Sequence, residues 1–492
     1  MEISDIGRKK IALCNYLRLS YWKVQDILRN VQEKLMSERR TMDLTEGNIF
    51  QQILIFSAPI FIGNLFQNLY NSVDSLVVGN FVGKGALAAV NTCAPISNLL
   101  IGFFTGMSAG ASVLFARNFG AKDYGKLKRS IHTTLTFALI LGITMALFGM
   151  VFSRQLLRIV DCPLDIFEDA DRYLKIYIAG ILFTSIYNVE SGVMRAVGDS
   201  RSPFYALVTA SFINIILDIV LVRFIGLGVI GVAIATVISQ SVSVCMVYRN
   251  MHGLDERYRF NFKDMGIEKD LLLEVIDLGL PAGIQSSLIS ISNLFVHRYI
   301  NSFGSTATAG VGIAQRLDRF VSMPCQALGL AITTFVSQNI GAGRRERIKN
   351  GMLTAFTMGM ISIAIMGIPL MLNTEFFLGL FNRDPDVLRY GSQMVHILVP
   401  FYFLMAMNQV MSGTLRGYGF SRQVMMLSLI GMIGIRQVFL YVSMHIDWNI
   451  NNVFIGFPVG WFFQAVCVYA YFFYLKRSGK LEEAFIKNSK HT

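Results

Sequence analysis

Long apolar runs separated by short polar segments dominate the hydropathy pattern of this chain. A run of ~20 apolar residues is long enough to cross a bilayer as a helix. Twelve runs of about this length or longer occur at residues 50–80, 88–116, 131–153, 170–192, 204–223, 229–249, 272–300, 307–338, 351–373, 390–413, 424–444 and 453–475. The pattern predicts an all-α polytopic membrane protein with twelve transmembrane helices, whose outer faces contact the lipid bilayer.

Composition agrees with this prediction. Hydrophobic residues make up 53% of the chain and charged residues only 15%, whereas soluble domains carry about 25% charged residues. The formal net charge is +12, but the basic residues are spread over short loops between apolar runs, so no nucleic-acid partner is expected. If the N-terminus lies in the cytoplasm, most Lys and Arg residues fall in segments on the cytoplasmic side of the membrane. This distribution predicts cytoplasmic termini in a bacterial-type inner (plasma) membrane.

The two halves of the chain repeat each other. Asn118 to Ala121 matches Asn339 to Ala342, and Arg195 matches Arg416, in both cases 221 residues later. The repeat predicts two six-helix bundles related by a pseudo-two-fold axis along the membrane normal, an arrangement that can expose a site alternately to the two sides. The expected domains are a basic cytoplasmic extension, an N-terminal lobe, a cytoplasmic linker, a C-terminal lobe and a cytoplasmic tail, at 1–45, 46–250, 251–271, 272–478 and 479–492.

Three glycine motifs resemble signatures of soluble enzymes, but each lacks the neighbouring structure or the length that its signature requires. Gly226 to Gly231 fits a dinucleotide motif, but it joins two predicted membrane helices and follows no strand. Gly106 to Gly110 fits a nucleophile motif inside a membrane helix, where small residues more often allow close helix packing. Gly79 to Lys84 is one residue too short for a phosphate-binding loop. We therefore expect no catalytic residue, no enzyme activity and no cofactor, and transport that is driven by an ion gradient or is passive.

Ionisable residues inside membrane helices are costly and are candidates for function. Asp74 and Asp218 have no Lys or Arg one helical turn away, and Asn214 precedes Asp218 by one turn on the same face. Together with the hydroxyl of Thr236, these side chains offer the oxygen ligands of a hard cation such as Na⁺. Two neighbouring carboxylates can equally share a proton. The alternative is structural: each aspartate pairs with a distant Arg or binds helix backbone.

The second half carries a different set of polar residues in its predicted helices. Gln285, Asn293 and Arg298 are candidate cavity-lining residues. Arg436 is a further candidate, which either contacts an anionic substrate or satisfies backbone carbonyls, and the sequence does not rank the two. The group Arg316, Asp318 and Arg319 forms either a local ion pair or a solvated cluster.

Several segments together resemble the multidrug and toxic compound extrusion (MATE) transporters over roughly residues 42–478. The resembling segments lie at 69–74, 118–121, 194–200, 214–218 and 226–236. The resemblance implies a two-lobe exporter that exchanges H⁺ or Na⁺ for small organic, often cationic, compounds.

Among these transporters the chain resembles most the DinF-like branch. That resemblance implies a cation site built from Asp74, Asn214, Asp218 and Thr236, with Tyr70, Tyr173 and Asn188 lining the same lobe's cavity. Other branches have coupling carboxylates in the C-terminal lobe, where the repeat places Val296 and Phe439 in this chain.

The predicted function is export of organic solutes by H⁺ or Na⁺ antiport, through alternating access of the two lobes. Cation entry is expected to bend or shift the first helix near a hinge at Pro59 and Gly63. The expected partners are small organic substrates and the bilayer, and the expected oligomeric state is a monomer. The alternative function is a flippase for lipid-linked oligosaccharides or other lipids, which share the wider superfamily architecture.

Overall fold

The structure, a computed structural model, describes residues 41–489, apart from the side chains of Tyr70, Asn71, Ser72, Ser75 and Leu76. Most of the predicted N-terminal extension therefore lies outside the described residues.

Within residues 41–489, twelve helices are long and apolar enough to cross a membrane. They are α1 Ile49–Val77, α2 Lys84–Gly120, α3 Tyr124–Ile159, α4 Phe167–Ala196, α5 Arg201–Phe224, α6 Gly228–His252, α7 Lys269–Asn301, α8 Ser305–Gly341, α9 Arg345–Leu372, α10 Pro385–Gly417, α11 Ser421–Ile446 and α12 Ile450–Arg477. A shorter helix, α13 Lys480–Asn488, follows. The prediction of an all-α protein with twelve transmembrane helices is confirmed.

Some of these helices change geometry along their length. The α-helical part of α1 continues into a π-helical turn, Val78–Val82. The same geometry occurs in α5 at Ile219–Phe224 and in α11 at Ile430–Ile435. Prolines lie inside α1 at Pro59 and inside α7 at Pro281, 222 residues apart and so within one residue of the repeat spacing. A single π-helical turn inside an α-helix is rare and occurs frequently at functional sites.

The helices form two lobes, α1 to α6 and α7 to α12, joined by residues 253–268. We call the helix ends next to residues 253–268 the linker side and the opposite ends the far side. One far-side hydrophobic cluster runs from Val77 to Ala233 in the first lobe, and a second runs from Val296 to Ala465 in the other. The linker-side cluster of the first lobe also takes in Val275 of α7. Apolar packing therefore joins the lobes on the linker side.

Close backbone approach between α2 and α7 joins the two lobes along this seam. A Cβ on Gly106 would overlap the Ala282 carbonyl, and one on Gly110 would overlap the Leu278 carbonyl. The hydroxyl of Ser287 donates to the Leu99 carbonyl across the same seam, at 3.3 Å. Gly106 and Gly110 thus serve helix packing, as interpreted from the sequence, because only a residue without a Cβ allows this separation.

Polar contacts reinforce the seam at its linker-side end. Arg117 of α2 pairs with Glu274 of α7 and also donates to Asn488 Oδ1 of α13, at 2.6 Å. From α8, the Gln338 side chain donates to the Ala196 carbonyl of α4, at 2.7 Å. These contacts link the first lobe, the second lobe and α13, so the two lobes cannot separate here without breaking them.

The segment between the lobes is itself folded onto α3. Arg257 lies with its guanidinium carbon 4.2 Å from the ring centre of Tyr124. The Arg257 side chain and backbone N–H both donate to Asp255, and these bonds lower the pKa of Asp255 to about 2. Lys128 pairs with Asp264 at 2.7 Å. The linker is thus held against the linker-side end of the first lobe.

Candidate cation and substrate site

Asp74 of α1 and Asp218 of α5 meet inside the first lobe. Their carboxyl groups lie within hydrogen-bonding reach of each other. Asp218 is fully buried, Asn214 is only 1% exposed, and Asp74 is half-buried. Helical spacing places Asn214 one turn from Asp218, as the sequence predicts.

The buried polar atoms of this group lack protein donors. As carboxylates, Asp218 Oδ1, Asp218 Oδ2 and Asp74 Oδ1 receive no hydrogen bond from any described residue, and Asn214 Oδ1 receives none either. No Lys or Arg of the described residues forms an ion pair with Asp74 or Asp218. Buried charge without compensation is strongly unfavourable. The chemistry that satisfies these oxygens is a cation or a proton.

Thr236 and Tyr173, the other predicted residues of this lobe, have contacts of their own. Thr236 is buried on α6 and donates to the Val232 carbonyl of its own helix at 3.0 Å. That bond uses the hydroxyl proton and leaves the oxygen lone pairs available to coordinate a cation. Tyr173 packs in the far-side cluster, stacked on Tyr177 with ring centres 5.9 Å apart. The side chain of Tyr70 lies outside what the structure describes.

A cavity of about 200 Å³ extends from Asn214 toward the linker side. Its wall is formed mainly by α1, α2, α4, α5 and α6, with Leu330 of α8 contributed by the second lobe. The predicted residues Pro59, Gly63 and Asn188 line it. Asn188 Oδ1 accepts from Thr105 at 3.2 Å, which fixes the orientation of its amide. The cavity therefore reaches Asn214, one helical turn from Asp218.

Several polar residues of the cavity wall are not among the site residues predicted from the sequence. Polar residues recur at helical spacing on several helices and together face the cavity, namely Asn64 and Gln67 of α1, Ser211 of α5, Ser239, Gln240 and Ser243 of α6, and Thr184 and Arg195 of α4. Asn64, Gln67 and Asp74 share one face of α1, because spacings of three and seven residues return to that face. Reading polar rather than apolar periodicity along each helix finds these residues.

The second-lobe candidates lie elsewhere. Gln285 accepts from Arg416 at 2.8 Å, and Asn293 accepts from Arg436 at 3.0 Å. Arg298 is exposed. None of Gln285, Asn293, Arg298 and Arg436 lines the cavity of the first lobe.

Asp318 lies within hydrogen-bonding reach of the Tyr402 hydroxyl. It forms no ion pair with Arg316 or Arg319 among the described residues.

Comparison with known proteins decides the family. The MatE family model matches residues 59–220 and again residues 281–442, one match in each lobe. The chain belongs to the MatE family. This confirms the resemblance read from the sequence and places the chain among multi-pass membrane transporters.

Similar proteins of this family come from bacteria. "Probable multidrug resistance protein YoeA" of Bacillus subtilis (strain 168) is 30% identical over 452 residues, which cover 90% of this chain and 96% of that protein. "Multidrug export protein MepA" of Staphylococcus aureus (strain MSSA476) is 23% identical over 412 residues, covering 82% of this chain and 90% of that protein.

Solved structures of MatE-family proteins share the fold. One is described as the outward-facing conformation of a multidrug resistance MATE family transporter; it has a TM-score of 0.82 and 23% identity, and the match covers 91% of this chain and 100% of that chain. A second, described as MATE in the bent conformation, also has a TM-score of 0.82, at 24% identity, and the match covers 90% of this chain and 98% of that chain.

Proposed function

We propose that this MatE-family chain exports small organic, often cationic, solutes in exchange for H⁺ or Na⁺. The observation that carries the proposal is the buried Asp74–Asp218 pair, which lacks a cationic partner among the described residues and adjoins a polar cavity. A positive solute in the cavity and a small cation at the pair compete for the same negative charge. Such competition is the physical basis of exchange, because each ligand weakens the binding of the other.

The coupling step uses α1. Pro59 and Gly63 lie on the cavity wall, and Asp74 lies three to four turns further along the same helix. A proline inside a helix removes one backbone hydrogen bond and permits a bend. A cation that draws Asp74 and Asp218 together therefore moves the wall of the cavity through a bend near Pro59, and the solute leaves.

The basic loops support an orientation for this proposal. Arg and Lys concentrate at the linker side, which the positive-inside tendency assigns to the cytoplasm together with both termini. The seam between α2 and α7 holds the two lobes together on that side. Alternating access then requires the linker-side seam to open.

The membrane potential supplies enough energy to export a neutral solute for one entering cation, whereas one-for-one exchange of a monovalent cationic solute moves no net charge and draws on the concentration gradient of the coupling ion. One elementary charge moving through 100 mV releases about 2.3 kcal/mol, which sustains a solute gradient of roughly fiftyfold. No nucleotide is needed for a gradient of that size.

Dye efflux from everted membrane vesicles tests the proposal. A panel of cationic and neutral dyes is followed separately under an imposed Na⁺ gradient and an imposed pH gradient. We expect one of the two gradients to drive dye movement only in vesicles that contain the protein. Insensitivity of every dye to both gradients would contradict cation antiport and favour a lipid flippase.

A bulky residue in the cavity is expected to block solute and spare the cation site. Ala109→Trp places an indole ring in the cavity, which Ala109 lines at a position away from Asp74 and Asp218. We expect dye efflux to fall at least about tenfold, since an overfilled cavity costs roughly 1–3 kcal/mol or excludes the ligand. Efflux measured in the same vesicles checks this.

The matched control is Ala88→Trp, because Ala88 is exposed on the same helix. That variant is expected to transport normally. Normal efflux by Ala109→Trp would show that solute does not occupy this cavity.

A further inference from the structure

The second lobe carries the opposite charge at the position that matches the cation site. The family matches begin at residues 59 and 281 and end at 220 and 442, so positions near the two ends of the match correspond at a spacing of 222, against 221 in its middle part. At the spacing of 222, the equivalents of Asp74, Asn214 and Asp218 are Val296, Arg436 and Leu440, and Leu440 replaces the Phe439 expected from a spacing of 221. Both acids are thus replaced by aliphatic residues, and the amide is replaced by a guanidinium.

Arg436 is buried among neutral groups. Its side chain is 1% exposed, and Nη2 donates to Ser292 Oγ at 2.6 Å and to Asn293 Oδ1 at 3.0 Å. The guanidinium carbon lies 5.6 Å from the ring centre of Phe457. On α12, Gly460 packs against the Arg436 stem, since a Cβ there would make van der Waals contact with Arg436 Cδ at 3.4 Å. The fold thus holds this arginine in one place.

The positive charge has no counter-ion among the described residues. No carboxylate there lies within 4.0 Å of Arg436. The Nε and Nη1 atoms are buried and donate to no described group. Val296 and Leu440 are both almost fully buried in the surrounding hydrophobic cluster. An unpaired guanidinium in such surroundings requires a negative partner.

Ser292 is poised to donate as well. Its hydroxyl oxygen accepts from Arg436 Nη2 at 2.6 Å and from Gln437 Nε2 at 2.8 Å. A hydroxyl oxygen has two lone pairs and one proton, so with both lone pairs occupied the proton is available for a further acceptor. Unused donors thus remain on two edges of the Arg436 guanidinium, at Nε and Nη1, and the Ser292 hydroxyl next to Nη2 supplies another.

We propose that Arg436 and Ser292, oriented by Asn293 and Gln437, bind a small monovalent anion inside the second lobe. The shared chemistry is a single negative charge that accepts several hydrogen bonds, as in chloride or the carboxylate of a short acid. Burial of the arginine restricts the anion to a small one. This site is independent of the solute and cation proposed for the first lobe, and it makes the two lobes opposite in the charge that they bind.

The test is the thermal unfolding of the purified full chain in detergent, in sodium gluconate, sodium chloride and sodium formate at equal ionic strength. A ligand that binds only the folded state raises Tm as its concentration rises. We expect a saturable rise in chloride, formate or both, relative to bulky gluconate. A response to chloride alone identifies a halide site, and a response to formate identifies a carboxylate site.

Two variants and one control assign the effect to this place. Arg436→Gln keeps polar groups but removes the charge, and is expected to lose the anion-dependent rise in Tm. Val296→Asp puts a carboxylate one turn from Ser292, at the position equivalent to Asp74, and is expected to remove the anion dependence by supplying an internal counter-ion. The control Arg316→Gln changes an exposed arginine of the same lobe and is expected to respond as the unmodified chain does.

The proposal fails if the unmodified chain unfolds at the same temperature in all three salts. It also fails if Val296→Asp retains the full anion response, an outcome that can be read even if Arg436→Gln does not fold. Equilibrium binding of radioactive chloride, displaced by formate, provides a second readout that does not depend on unfolding.

Discussion

Asp218→Asn is expected to abolish cation-coupled efflux while the protein still folds and inserts. The substitution keeps the shape of the side chain and removes the negative charge that has no described protein donor. Removing one partner of a buried charged contact costs about 2–5 kcal/mol, which lowers cation affinity by more than roughly thirtyfold. Dye efflux from vesicles under the driving gradient should fall to the level of vesicles without the protein. Asp74→Asn should give the same loss, because its carboxyl group meets that of Asp218.

Stability separates this effect from misfolding. Removing one of two like charges relieves repulsion, so the thermal unfolding temperature of Asp218→Asn should be unchanged or higher. The matched control is Asp277→Asn, which neutralises an exposed aspartate of α7 and should transport normally. Full drug resistance in cells that carry both Asp74→Asn and Asp218→Asn would contradict the assignment.

Gly110→Val is expected to open the linker-side seam and to reduce transport strongly. A Cβ at Gly110 overlaps the Leu278 carbonyl of α7, and two backbones cannot both keep their positions. Overpacking costs about 1–3 kcal/mol, enough to change the ratio of two conformers by roughly fivefold to more than a hundredfold. We expect the population to shift toward conformers with α2 and α7 apart at the linker side. Accessibility of a cysteine introduced at Ala282 to a thiol reagent added on the linker side measures this shift.

The control for this substitution is Gly312→Val. Gly312 is also helical, in α8, and a Cβ there meets no atom within 4 Å, so accessibility and efflux should not change. If Gly110→Val shows the same accessibility and efflux as Gly312→Val, the α2–α7 contact does not control which side is open.

Hydropathy and the repeat predict most of the fold because both follow directly from the bilayer. Each helix must present an apolar surface to lipid, so its existence is visible in the sequence. The boundaries were less accurate where helix geometry changes. The run 50–80 reads as one helix, whereas the α-helix ends at Val77 and a π-helical turn follows. A π-helical turn holds one more residue than an α-helical turn. It leaves the hydropathy pattern unchanged and depends on packing between helices.

The candidate site, like the fold, is only partly visible in the sequence. Asp74, Asn214 and Asp218 are visible in the sequence, because charges are rare in membrane helices and stand out. The π-helical turns that follow both aspartates are not visible, and they place the two acids at changes of helix geometry. Nor does the sequence show that Arg436 contacts Ser292 and has no carboxylate partner in the part of the chain that the structure describes. That requires knowing which side chains of α7 and α11 meet.

The two lobes thus differ in what their interiors can bind. The first lobe offers carboxylate oxygens at the end of a polar cavity, and the second offers guanidinium and hydroxyl donors in an apolar cluster. The repeat gives both lobes the same helix arrangement, and the residues at corresponding positions differ in charge. Mutations in the two places should therefore have separate effects, cation coupling in the first and anion dependence in the second.

The most direct test measures the cation itself during exchange. Purified protein in proteoliposomes is given a dye gradient without any ion gradient, and the movement of ²²Na⁺ and of protons is recorded separately. The account predicts that one of these cations moves opposite to the dye, and that the movement disappears in both Asp74→Asn and Asp218→Asn. Dye movement without any counter-moving cation, or an unchanged cation flux in these variants, would contradict it.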